Sequence, residues 1–115
     1  MSLWKWNDAE FEIDLEDVDF LERYEKAFDS LGKKEKEIVN IGRGSEFAKQ
    51  YCTMFFDLYN DIFGPGSSDK LFRGTMNLRI VDECYESFID HCSKEVQASN
   101  KRRLEHAKKY KVKKR

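Results

Sequence analysis

The sequence predicts a mainly α protein: an N-terminal β-hairpin, a small bundle of three main helices, and a basic C-terminal tail. Three observations carry this expectation. Residues 4–15 alternate apolar and polar side chains with a period of two, as a half-buried strand pair requires. Three later stretches repeat apolar residues at three- and four-residue spacing, the mark of amphipathic helices. Charge is also polarised along the chain. Residues 94–115 hold ten Lys and Arg against Glu95 and Glu105, a net +8, whereas the rest holds eleven basic and twenty acidic residues, a net −9, giving −1 in all.

In the hairpin, Trp4 and Trp6 flank Lys5, and Phe11, Ile13 and Leu15 alternate with Glu12 and Asp14. Asn7-Asp8-Ala9-Glu10 supplies the turn, because Asn and Asp side chains bond their own backbone. Met1-Ser2-Leu3 reads as an expression remnant, with native sequence from Trp4. Asp17 or Asp19 caps the first helix, Asp19 and Glu22 standing at capping-box spacing. Its stripe is Phe20, Leu21, Tyr24, Ala27, Phe28 and Leu31. Gly32 ends that stripe, and Lys33-Lys34-Glu35-Lys36-Glu37 either extends a solvated helical face or forms a loop. Ile41-Gly42-Arg43-Gly44 breaks the chain, since each glycine weakens a helix by roughly 1 kcal/mol.

Ser45 caps the second helix. Phe47, Tyr51, Cys52, Phe55, Phe56, Leu58, Tyr59, Ile62 and Phe63 crowd nearly all its sides, so it is the central, most buried element, with Phe55, Phe56 and Tyr59 in the core. Gly64-Pro65-Gly66 stops it. Ser68 to Phe72 forms one short helical turn that Arg73-Gly74 closes. The last helix begins between Thr75 and Asn77, with Leu78, Val81, Cys84, Tyr85, Phe88, Ile89, Cys92 and Val96 as its stripe. The stripe fails beyond Val96. The compact unit therefore spans residues 4–97, and residues 98–115 are a basic helical extension or a disordered tail.

No run approaches a membrane span and no signal peptide opens the chain, so a cytoplasmic protein without membrane contact is expected. Cys52, Cys84 and Cys92 match no zinc spacing and lie in apolar stripes, as buried free thiols do. Asp14, Glu16, Asp17 and Asp19 lack the glycine and the bidentate Glu of a calcium loop. They suit a solvated strand face and a helix N-terminus. His91 and Cys92 point about 100° apart on a helix and form no nucleophilic pair. Asp57 and Asp61, like Asp82 and Glu86, stand one turn apart, as surface carboxylates often do. Gly42 to Glu46 lacks the Gly-Lys-Ser core of a phosphate loop. No catalytic residue, metal or cofactor is expected, and the protein reads as a non-enzyme. The basic tail fits a protein partner, nucleic acid bound through counterion release, or no specific partner.

Phe55-Phe56-Asp57-Leu58-Tyr59-Asn60-Asp61-Ile62-Phe63-Gly64-Pro65-Gly66, then Lys70-Leu71-Phe72, Asn77-Leu78-Arg79 and Tyr85-Glu86-Ser87-Phe88, closed by an Arg/Lys tail, resemble a family of short proteins in the tail modules of phages and prophages of Gram-positive bacteria. The acidic opening strand and Glu22-Arg23-Tyr24-Glu25 are similar too. In that family a glycine more often follows the Leu-Phe pair, where this chain has Arg73. The resemblance implies a tail assembly chaperone. Such a protein binds the tape-measure protein, recruits tail-tube subunits, forms homo-oligomers in the host cytoplasm, and is absent from the mature virion. Partner contacts are expected at Trp4, Trp6 and Phe11, at Leu71 and Phe72, and at Arg102, Arg103, Lys108 and Lys109. The alternatives are a small nucleic-acid-binding regulator using the basic tail, or a structural tail or connector subunit.

Overall fold

The computed structural model describes residues 2–113, with side chains to residue 109. The element order is β1 (Ser2–Trp6), β2 (Ala9–Ile13), α1 (Val18–Ile38), α2 (Ser45–Phe63), α3 (Ser67–Phe72) and α4 (Leu78–Lys113). Strands β1 and β2 pair antiparallel, with Trp4 opposite Phe11 and Trp6 opposite Ala9. The turn is therefore two residues, Asn7 and Asp8, shorter than the four expected. Asn7 takes the left-handed region at φ 54°, which asparagine tolerates better than other side chains. Its Nδ2 donates to the Leu71 carbonyl at 3.1 Å, fixing the turn to α3. Ser2 and Leu3 belong to β1, so the ordered unit begins before Trp4.

Asp17, not Asp19, caps α1, its Oδ2 accepting the Phe20 N–H at 3.0 Å. The helix then runs through Gly32 to Ile38, so Lys33 to Glu37 extend it and form no loop. Lys33 to Glu37 are good helix formers, and Ile38 supplies one more buried anchor at 6% exposure, which together outweigh one glycine. Helix α2 begins at Ser45 itself, with Gly44 as its cap and no side-chain bond. Cys52, Met54, Phe55, Leu58, Tyr59 and Ile62 are buried along it, and Phe56 is half-buried, so α2 is the central helix. Asn60 organises its exit. The Asn60 Oδ1 accepts the Ser68 N–H at 2.9 Å and its Nδ2 donates to Ser68 Oγ at 3.1 Å, starting α3. Arg73 closes α3 at φ 51°, in the left-handed conformation that glycine adopts without strain.

Asn77 caps α4, its Oδ1 accepting the Ile80 N–H at 3.1 Å. Val81, Cys84, Phe88 and Cys92 are buried. Beyond them Val96 is 44% and Leu104 64% exposed, yet the helix continues. Its 36 residues span about 54 Å at 1.5 Å per residue. The molecule measures 64 × 32 × 22 Å with a radius of gyration of 17.5 Å, against about 13 Å for a compact chain of this length. The basic segment is thus a projecting helix as far as Lys113; Lys114 and Arg115 lie outside the described residues.

Gly32 adds nothing to α1 that requires glycine: a Cβ there meets no atom within 4 Å, and its φ is not positive. Gly32→Ala is therefore expected to stabilise the protein by about 0.5–1 kcal/mol. The check is the denaturant midpoint, which rises while the slope stays constant.

Candidate functional site

An open groove of ≈ 850 Å³ lies between β2, the start of α1 and the end of α2. Its floor is the stacked pair Phe11 and Phe63, with centroids 4.7 Å apart, over the buried Phe20 and Ile62. Its rim carries Glu10, Glu12, Asp14, Asp17 and Asp61 against a lone cation, Arg23. Arg23 is held in place: its Nε donates to the Ile62 carbonyl at 3.1 Å, one of the carbonyls that the end of α2 leaves open. Its guanidinium lies 5.5 Å from the Phe20 ring centroid. Among the described residues none of the five carboxylates has an ion-pair partner. β2 is the free edge of a two-stranded sheet, and Glu10 and Glu12 on that edge oppose strand addition by another acidic surface.

The second surface is the projecting end of α4. Its base is tied to the body by Glu16, whose carboxylate accepts Ser99 Oγ at 2.7 Å. The same carboxylate pairs with Arg102 and lies 3.7 Å from Arg103. Ser99 first and Arg102 next hold the Glu16 carboxyl below its ordinary value of 4.5. Lys101, within this tie, and Leu104 and Lys108, past it, share one helix face at three- and four-residue steps. All three are exposed, as is Lys109.

Ser2, His91 and Glu95 come together where β1 crosses α4. Ser2 Oγ lies 2.7 Å from His91 Nε2 and donates to Glu95, whose other oxygen accepts the Leu15 N–H at 3.0 Å. A hydroxyl has one proton, and the carboxylate takes it, so His91 Nε2–H donates to Ser2. In a nucleophilic triad the serine gives its proton to the imidazole and the carboxylate orients the imidazole. Here the carboxylate holds the serine instead, and the trio clamps the hairpin to α4. Cys52, Cys84 and Cys92 are buried free thiols. Burial pushes the Cys84 and Cys92 thiols up to about 12, which keeps them protonated and unreactive. Asp57 pairs with Lys34 at 2.9 Å and Asp82 accepts the Tyr51 hydroxyl. Among the described residues no three His, Cys, Asp or Glu side chains are grouped to hold a metal.

The residues expected to meet a partner separate into three groups. Trp4, Leu71 and Phe72 are core residues, 2%, 0% and 4% exposed, and this corrects their assignment to a binding face. Trp4 packs on Tyr59, Phe63 and Phe88 with centroids 5.7, 6.1 and 5.1 Å away, and its Nε1 donates to Ser87 Oγ at 3.0 Å. Phe72 packs on Phe56 at 4.9 Å. Trp6 and Phe11 are half-buried, and only Phe11 reaches the groove. Arg102 and Arg103 are exposed but engaged with Glu16, whereas Lys108 and Lys109 are exposed beyond it. Sequence reasoning read Phe63 as core and Asp61 as a surface carboxylate paired with Asp57, and gave Arg23 no binding role. The available signal was the acidic opening strand, whose carboxylates face the aromatic end of α2 across the groove.

Together these features define a small helical domain with a docked hairpin, an acidic aromatic-floored groove and a basic helical projection. The chain belongs to a family of unknown function (DUF6673), whose profile matches residues 7–115. The match includes both the groove and the basic projection. No curated protein and no solved structure matches the chain.

The Glu16 tie sets a pH dependence. A carboxyl lowered in the folded state contributes stability above its unfolded pKa and loses it as pH falls through its folded pKa. Its NMR titration is therefore expected to have a midpoint below 4.5, and Arg102→Gln to move that midpoint upward. A midpoint that ignores the substitution would show that the tie does not form in solution.

Proposed function

We propose that this protein is a non-enzymatic tail assembly chaperone of a phage or prophage. It holds helical segments of a tape-measure protein in the host cytoplasm, aids assembly of the tail tube, and leaves before the virion matures. Two things support the reading: the resemblance carried by residues 55–88 and the basic tail, and the groove itself. The groove is the observation that carries it. Its Phe11–Phe63 floor offers non-directional apolar contact, which accepts many sequences, and its open walls admit a helix lying lengthwise. The carboxylate rim favours segments with basic flanks and speeds their arrival. A long helical client offers many equivalent sites, so weak individual contacts sum to tight holding through avidity.

The second reading is a nucleic-acid-binding regulator, supported by exposed Lys101, Lys108 and Lys109 on the projecting helix. Co-expression with a tape-measure protein separates the two. The chaperone reading expects a soluble complex with several copies per rod. That complex survives moderate salt because apolar contact supplies most of the holding, and it weakens when Glu12→Lys and Asp61→Lys reverse the rim. No association with the rod, together with tight salt-sensitive DNA binding through residues 101–115, would overturn it in favour of the regulator.

A further inference from the structure

We infer that the acidic groove of one copy receives the basic α4 projection of a second copy, so that the protein associates head to tail. The two surfaces are complementary in charge and in shape of contact. The groove sets five carboxylates and Arg23 around an aromatic floor. The projection sets Lys101 and Lys108 on either side of Leu104, which is 64% exposed and which the Phe11–Phe63 floor would cover. In docking, Leu104 meets the floor while the flanking lysines reach the rim.

The pairing must be between molecules. α4 is one continuous helix from Leu78 to Lys113, and Glu16 holds its base through Ser99 and Arg102. Residues 104–113 therefore extend away from the body and cannot turn back into their own groove. Symmetric pairing through either surface is excluded by charge, since groove opposes groove and projection opposes projection. The remaining attractive contact is groove to projection: a single such contact leaves a groove at one end and a helix at the other, and growth continues until a ring closes, a reciprocal pair being the smallest ring. The inference rests on this chain alone and stands whatever client the groove serves.

The test mixes two full-length variants altered only at exposed positions. The helix variant carries Lys101→Gln, Leu104→Gln and Lys108→Gln, and keeps its groove. The groove variant carries Glu12→Lys and Asp61→Lys, and keeps its projection. Circular dichroism melts confirm that both fold. In sedimentation experiments at about 50 mM salt the wild type is expected to gain mass with concentration. Each variant alone stays at the monomer mass of 13.7 kDa. Their equimolar mixture forms a pair of twice that mass and grows no further, because each pair retains one defective surface at either end. Raising salt to about 0.5 M weakens wild-type association at least about tenfold. A wild type that stays monomeric, a variant that associates as the wild type does, a mixture that remains monomeric, or an association indifferent to salt overturns the inference.

Discussion

The indole of Trp4 joins the hairpin to both long elements of the core. It stacks on Tyr59 and Phe63 of α2 and packs on Phe88 of α4, with its N–H bound to Ser87. An isolated two-stranded hairpin is marginal in water, so β1 and β2 persist because this side chain is buried. The consequence reaches the surface. Trp4 stands opposite Phe11 in the register, and seating the one places the other against Phe63 as the groove floor. Ser2, His91 and Glu95 hold the same strand at its other end. The floor of the groove is thus a product of the core.

Much of this was legible in the sequence. Period-two alternation located the hairpin, Asp17 or Asp19 and the stretch from Thr75 to Asn77 bracketed two helix starts, and the Gly64-Pro65-Gly66 and Arg73-Gly74 punctuation bounded α3. The all-round apolar character of α2 identified the central helix. The side-chain partition was not legible. In a chain with nine Phe, five Tyr and two Trp, composition cannot say which rings face inward. Trp4, Leu71 and Phe72 went to the core because the two-residue turn at Asn7 brings β1 and α3 onto α2, a tertiary fact. Gly32 left the end of α1 open between a helical extension and a loop, and the buried anchor at Ile38 decides it for the helix. The glycine usual after the Leu-Phe pair in the resembled family finds its physical reason in Arg73, which occupies a left-handed position with its side chain on Asp8.

Charge separation is the other organising constraint. The acidic rim and the basic projection would neutralise each other if they could meet within one molecule, and the rigidity of α4 prevents it. Glu16, next to the acidic rim in sequence, holds the base of the projection. Like charge on each surface sets which contacts with other molecules are attractive. Under the proposed chaperone role a client helix and a neighbouring copy would compete for one groove, and self-association would shield the aromatic floor until a client arrives.

The central claim is that the hairpin belongs to the cooperative core. Native-state hydrogen exchange tests it most directly, by comparing the ladder amides of β1 and β2 with those of buried α2 residues such as Leu58 and Tyr59. The account predicts that the two sets exchange with the same free energy, that of global unfolding. Hairpin amides that open at far lower free energy than α2 would contradict it, and would mean that the groove has no fixed wall.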